Sequence, residues 1–368
     1  MFIRKVKLTN FRNFISTSIM VGKGVNFFYG ENGSGKTSIL EAINYISQAR
    51  SFRANKNSTI INHEAKEFVL FSELFKESKD FVSRLGIVRN YLGDIKVNFN
   101  GVPLNRVADL ANNVCIQAIV PNGLSLLEAG PAIRRSFIDW GCFYHFNDFS
   151  EISSDFRKII RQRNILLANK SSKDYLEYWN NCFAEISQRV TEKRVEYLTI
   201  FNNYANDITS RFLPNIKISL ELVPGHKLGI SDFLSQLSSH SGREYAMGYS
   251  LFGPQKADLC IKVNNKPSLD ILSRGQQKLL VIALKFAQGI VYQNLMNTNC
   301  VYIIDDIASE LDTNSLYKVY ELVDELSDNN QFFITSLDKD HQKFTSKFHN
   351  EIKMFHVEHN DIHESDLV

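Results

Sequence analysis

The sequence predicts an α/β fold, a mixed β-sheet with helices, carrying a mainly helical insertion. Three features point that way. The apolar run Val25 to Tyr29 passes through a glycine-rich turn into a helix with Ile39, Leu40, Ile43 and Ile46 at helical spacing. Towards the other end, Cys300-Val301-Tyr302-Ile303-Ile304 is an unbroken apolar run, as expected of a strand buried on both faces. A helix over 313–327 and a strand over 331–335 continue that alternation. Between the two, 149–169 and 172–212 are long, charged, amphipathic and free of glycine and proline. They read as two helices in a hairpin, closed by Pro214.

The remaining elements follow the same logic. Residues 1–10 read as a strand, and Asn10 to Gly24 as a turn region before the strand 25–29. From 67 to 120 the pattern is one of short alternating segments, such as Phe68-Val69-Leu70-Phe71 and Ile95-Lys96-Val97-Asn98-Phe99. Asn100-Gly101 is a hairpin-turn signal among them. Strand-like segments return at 216–223 and 259–263, and a helix covers 274–296. This organisation divides the chain into a discontinuous head, 1–120 and 246–368, and a helical lobe, 121–245. No internal repeat or sustained heptad pattern occurs, and the last eight or so residues read as frayed.

Composition narrows the class. At 368 residues, 44% hydrophobic and 22% charged, the chain has the make-up of a soluble globular protein of two domains, or of one with a large insertion. No eighteen consecutive residues are apolar, and the alternating start Met1 to Lys7 lacks the pattern of a signal peptide, so a cytoplasmic protein without a membrane span is expected. The five cysteines, Cys115, Cys142, Cys182, Cys260 and Cys300, form no C-x-x-C pair, which argues for reduced thiols. His356 and His359 have no further ligand cluster beside them, so no metal site is expected there. A net charge of +2 leaves any nucleic-acid contact to local basic patches.

The chemistry is concentrated in Gly30-Glu31-Asn32-Gly33-Ser34-Gly35-Lys36-Thr37, which meets G-x-x-x-x-G-K-[ST] at every fixed position. Glycines there let backbone N–H groups turn inward around phosphate oxygens, and the helix that follows presents its positive end. Lys36 reaches the β- and γ-phosphates, and the Thr37 hydroxyl holds Mg²⁺. The expected ligand is a nucleoside triphosphate with Mg²⁺. Ile303-Ile304-Asp305-Asp306 places two carboxylates at the end of a buried strand. Asp305 is expected to orient water on the metal, and Asp306 to polarise the attacking water. Leu272-Ser273-Arg274-Gly275-Gln276 opens an apolar helix and forms either a second anion-binding corner or a simple N-cap.

The order of these motifs, with Ser309-Glu310-Leu311-Asp312 after the carboxylates, resembles the ATP-binding-cassette ATPases. Asn10-Phe11-Arg12-Asn13, Gly130-Pro131-Ala132-Ile133-Arg134-Arg135-Ser136-Phe137-Ile138-Asp139-Trp140 and Gly253-Pro254-Gln255-Lys256-Ala257-Asp258-Leu259 narrow it. With them, the chain resembles the RecF family from end to end. That family comprises recombination mediators with an ATPase head related to those of SMC proteins, without the long coiled coil. The resemblance implies roles at single positions. Ser273, with Arg274, Gly275 and Gln276, is the signature that contacts the γ-phosphate bound to the opposite subunit. Gln117 is the glutamine that touches Mg²⁺ and water. Asp312 is the D-loop aspartate. Thr335-Ser336 stand where the superfamily has its switch histidine. Arg12 and Asn13 either approach the nucleotide or form an ordinary polar turn.

A serine that completes its partner's site implies a head-to-tail homodimer around two ATP molecules, loosened by slow hydrolysis because Asp306 is shorter than the usual glutamate. The family also implies DNA, single- or double-stranded and gapped, and the mediator RecR as partners. Candidate DNA contacts are Arg50, Arg53 and Lys56 beyond the phosphate-loop helix, and Arg157, Lys158, Arg161 and Arg163 in the insertion. Each cluster reads equally as a solvated helix face. Two rival classes are weaker. A transporter subunit has its phosphate loop and signature much closer together, and an SMC-like chromosome head needs a long heptad segment in the gap.

Overall fold

The computed structural model describes residues 1–54, 56–76, 80–104, 107–111, 113–337, 348–350 and 352–365. The chain forms two compact units. The first comprises Met1–Ser125, Arg211–Leu213 and Arg274–Val368, and the second Leu126–Ser210 and Pro214–Ser273.

In chain order, β1 (Phe2–Phe11) and β2 (Phe14–Met20) form a hairpin, and β3 (Val25–Tyr29) runs through the phosphate loop into α1 (Lys36–Gln48). A meander follows: β4 (Glu67–Lys76), β5 (Phe81–Asn90), β6 (Ile95–Phe99) and β7 (Val102–Pro103). Asn100 and Gly101, both at positive φ, make its last turn, as a primed hairpin turn requires. Then comes β8 (Ile116–Ile119). The second unit contains α2 (Pro131–His145), α3 (Phe149–Ala168), most of α4 (Lys173–Phe212), β9 (Ile218–Val223), α5 (Ile230–Ser239), α6 (Ser241–Met247), β10 (Asp258–Val263), β11 (Lys266–Pro267) and α7 (Ser268–Ile271). The chain returns to the first unit with α8 (Arg274–Met296), β12 (Val301–Ile304), α9 (Thr313–Ser327), β13 (Gln331–Ser336), β14 (Ile352–Glu358) and β15 (Asp361–Ser365).

Two sheets build the first unit. One is antiparallel, in the order β2-β1-β4-β5-β6-β7. The other runs β15-β14-β3-β13-β12-β8 and is parallel except for β15. Helix α1 touches β1 and β4 of the first sheet and β8 and β13 of the second. It is accordingly buried on nearly every face, and Ile39, Leu40, Ile43 and Ile46 share one core with Val6, Leu8, Phe68, Phe28 and Phe333. Burying each of these aliphatic side chains stabilises by about 1.5–3 kcal/mol. Truncating Ile43 to alanine would cost about 2–5 kcal/mol. Helix α8 is long and apolar enough to cross a membrane by length and composition, yet its middle, Leu279 to Leu284, is buried inside the protein.

In the second unit, the motif segments around Arg134 and Asp258 hold the architecture together. Arg134 donates from Nε and Nη2 to the two carboxylate oxygens of Asp258, at 2.6 and 2.9 Å. Arg194 forks in the same way onto Asp139 and also donates to the Pro254 carbonyl.

Three expectations change. The turn region 10–24 contains β2, an edge strand whose serines and threonine mask its alternation. Of the last eight residues, 361–365 pair with β14 and are not frayed, and 366–368 lie outside the described residues. The lobe boundary expected at 245–246 falls inside the second unit, which continues to Ser273 because β10 pairs with both β9 and β11. That unit therefore carries a three-stranded sheet as well as helices.

Candidate nucleotide site

Strand register assembles the site. Phe28 of β3 lies beside Thr335 of β13, and Ile334 lies beside Ile304 of β12. The loop after β3, the carboxylates after β12 and the end of β13 therefore meet at the carboxyl edge of parallel strands, where ligands of open α/β sheets bind. Thr37 Oγ1 donates to Asp305 Oδ1 at 3.0 Å, and Thr335 Oγ1 donates to the same oxygen at 2.8 Å. The Asp306 N–H donates to Thr335 Oγ1 at 2.9 Å. Burial pushes the Asp305 carboxyl above its ordinary range, against those hydrogen bonds and the Arg53 charge, which lower it.

Lys36 Nζ donates to the carbonyls of Gly30 and Glu31, at 2.6 and 2.7 Å. Burial lowers its pKa, with Asp306 and Asp305 pulling it back up. Gly35, which precedes α1, has φ +114, and a Cβ there would sit 2.8 Å from the Phe14 ring. Only glycine admits that turn. The Ser34 hydroxyl is shielded from solvent and has no hydrogen-bond partner among the described residues. Such an orphaned polar atom in a glycine loop fits a phosphate oxygen as its partner. Thr37 and Asp305, two oxygen donors in contact, fit the hard-oxygen preference of Mg²⁺.

A cavity of about 570 Å³ opens in front of the loop, lined among others by Asn13, Lys36, Thr37, Arg53, Asp306 and Thr335. Arg53 reaches it through a side-chain relay. Arg12 forks onto Glu41 of α1 at 2.8 and 2.7 Å, and Ser51 Oγ donates to Glu41. Ser51 Oγ in turn accepts the backbone N–H groups of Arg53 and Ala54. Arg12 thus lines the site but spends its guanidinium on Glu41 and the Thr59 carbonyl. A larger cavity, about 640 Å³, opens around Gly22 and Gly24 ahead of β3, at the opposite end of the strands, and includes none of the loop residues.

Two sequence expectations fail. Gln117 lies within β8, level with Tyr302, and its amide donates to Gln288 Oε1 of α8 at 2.9 Å. It is three residues short of the strand edge on which Asp305 sits, too far for a metal contact. Arg163 is fully buried, with Glu244 at 2.5 Å, Ser250 at 2.7 Å and Asn180 at 2.8 Å, so it is closed to DNA. Arg50, Lys56, Arg157, Lys158 and Arg161 are exposed, with Lys158 paired to Asp155. Ser273, Arg274 and Gly275 are exposed where α8 begins, with Gln276 half-buried. Asp312 caps α9 by accepting from the Ser315 N–H and hydroxyl. Arg53, expected at DNA, lies beside the carboxylates instead, and Thr335, expected at the switch-histidine position, hydrogen-bonds both carboxylate residues. Strand pairing would have revealed the second, since Thr335 lies at the end of the strand next to β12.

Residues 2–363 match the family described as RecF/RecN/SMC N terminal domain. The DNA replication and repair protein RecF of Shewanella frigidimarina is 38% identical over 312 residues, 85% of this chain and 86% of that one. The same protein of Shewanella piezotolerans is 36% identical over 359 residues, 98% of each chain. A solved structure of the recombination mediator protein RecF with ATP superposes with a TM-score of 0.89 at 22% identity, covering 99% of this chain and 98% of that one. An Smc head bound to the C-winged helix domain of ScpA gives 0.60 at 16% identity, covering 100% and 98%. The fold is that of an ATPase head of this superfamily.

Proposed function

The chain belongs to the RecF family of DNA replication and repair proteins, and from that premise we propose that it is an ATP-gated, DNA-binding homodimer serving recombinational repair of gapped DNA. The observation that carries this reading is the meeting of Lys36, Thr37 and Asp306 around one open cavity, with Asp305 hydrogen-bonded to Thr37 behind them and the signature Ser273 exposed at the start of α8. ATP would lie along Gly30 to Thr37, with Lys36 turning from the loop carbonyls to the β- and γ-phosphates. Thr37 and Asp305 would hold Mg²⁺, which neutralises phosphate charge when bound. Asp306 would polarise the attacking water, and Arg53 would add positive charge at the same cavity.

Ser273, with Arg274, Gly275 and Gln276, would close the site of the opposite subunit. None of Arg274, Gly275 or Gln276 is among the residues that line the cavity of their own chain, which favours a role in trans. ATP bridging two subunits strengthens their association by mass action, and hydrolysis releases it. The short Asp306 makes hydrolysis slow, so ATP acts as a switch. Asp312, capping α9, would hold the D-loop in register with the partner.

DNA would be gripped through phosphates with little sequence selectivity, by Arg50 and Lys56 and by Arg157, Lys158 and Arg161. Arg163 is withdrawn from that set, and Arg53 moves to the nucleotide. Work in the cytoplasm alongside RecR, in replication, repair and the SOS response, completes the proposal by family membership. Fluorescence anisotropy with gapped DNA tests it. Affinity should rise with ATP, fall steeply with salt, and lose its ATP dependence in Lys36→Ala. Equal affinity with and without ATP in the wild-type protein would refute gating.

A further inference from the structure

We propose that Thr335 is a positioning residue of the hydrolytic site, whose one hydroxyl aligns both carboxylate residues. The inference rests on the ATPase reading above and goes beyond it by assigning the position at which the superfamily's switch histidine is missing.

The geometry ties the hydroxyl to both carboxylate residues. Thr335 is 1% exposed. Its proton goes to Asp305 Oδ1 at 2.8 Å, and its oxygen takes the Asp306 N–H at 2.9 Å. A hydroxyl has a single proton to donate, so that capacity is committed to Asp305. Asp306 itself has φ 44, in the left-handed region that few side chains adopt, and it lines the cavity. A hydrogen bond from its own backbone amide fixes that turn and hence where its carboxylate starts.

Asp305 Oδ1 has a second donor in Thr37 at 3.0 Å. If the Thr37 hydroxyl turns towards a metal ion, Thr335 remains to hold Asp305 in place. Its position on β13, one step beyond the Ile334–Ile304 pair, makes that hold a consequence of strand register. Thr335 would thus set the aim of both carboxylates.

The test compares wild type, Thr335→Val and Thr335→Ser. Valine keeps the shape and removes both hydrogen bonds, whereas serine keeps the hydroxyl. The first readout is hydrogen exchange of the Asp306 amide in nucleotide-free protein. The second is the Mg²⁺ concentration that half-saturates ATP binding, set against ATP binding in EDTA. Valine should speed the exchange and raise the Mg²⁺ requirement, each about tenfold or more, with metal-free ATP binding within about twofold of wild type. Serine should restore both. Valine indistinguishable from wild type, or serine as impaired as valine, would overturn the proposal. Should the valine protein fail a circular-dichroism melt, Thr335→Ala, which also removes both hydrogen bonds, replaces it, and the same results would support or overturn the role of Thr335. Wild-type protein that binds no ATP would refute the ATPase reading instead, and the amide exchange would still decide whether Thr335 holds the Asp306 turn.

Discussion

Thr37 and Asp305 lie 268 positions apart in the chain, yet Thr37 Oγ1 donates to Asp305 Oδ1 at 3.0 Å. Burial is the main cause holding the Asp305 carboxyl above its ordinary value of 3.8, and the Arg53 charge opposes it. A metal ion needs the ionised carboxylate. The Mg²⁺ requirement for ATP binding should therefore rise on acidification from a pH higher than an ordinary aspartate would give. Arg53→Gln removes a charge that favours ionisation, so it should move the onset to higher pH still. Titrations of Mg²⁺ against a fluorescent ATP analogue across pH check this. An onset in Arg53→Gln at or below that of wild type would contradict it.

Gly30 opens the loop at φ +148, and a Cβ there would collide with the carbonyl oxygen of Val357 on β14. Backbone cannot yield as a side-chain tip does. Gly30→Ala should cost about 1–3 kcal/mol in a urea melt, as overpacking does, and weaken ATP binding about tenfold or more. Full ATP affinity in this variant would show that the loop start tolerates displacement.

Arg163 and Glu244 form a buried ion pair, 1% and 0% exposed, at 2.5 Å. Breaking such a pair leaves an uncompensated charge, so Arg163→Met should destabilise by about 3–5 kcal/mol. Adding Glu244→Leu should recover much of that loss. Thermal melts of the two proteins decide it. A single variant within about 1 kcal/mol of wild type would mean the pair is dispensable.

His226 is buried, and its Nδ1 faces the Lys227 carbonyl at 2.8 Å while Nε2 faces the Thr191 hydroxyl at 2.9 Å. A carbonyl only accepts, so Nδ1 carries a proton. Burial holds its pKa below the ordinary 6.5, with the Lys227 bond opposing and Arg194 assisting. The unfolded chain then takes up the proton first. Stability is complete above 6.5 and falls as pH drops towards the folded value. Melting curves between about pH 7 and pH 5 should show that decline, and His226→Gln should flatten it. An unchanged slope in the variant would assign the decline to other groups.

Much of this was legible in sequence because the informative residues are neighbours in it. The phosphate loop, the Asp305-Asp306 strand end and the helix from Arg274 are each recognisable within a short run of residues. What stayed hidden depends on distant partners. Arg163 reads like Arg157 and Arg161 beside it, and its partners Asn180, Glu244 and Ser250 make it a core residue. The family resemblance implies a metal contact for Gln117, whereas the β8–β12 register puts it too early on its strand. β2 escaped notice because an edge strand exposes one face and needs no strong apolar alternation. Thr335 was noticed for the histidine it replaces, not for the hydrogen bonds it makes.

If ATP joins two copies of this chain, held by Lys36 on one and Ser273 on the other, nucleotide should set the oligomeric state. Sedimentation velocity with Mg²⁺ and a slowly hydrolysed ATP analogue reads that state without intermediates. Expected are monomer without nucleotide, dimer with it, and monomer throughout for Ser273→Arg at undiminished nucleotide binding. Dimerisation of Ser273→Arg as strong as that of wild type would rule out the shared-nucleotide dimer.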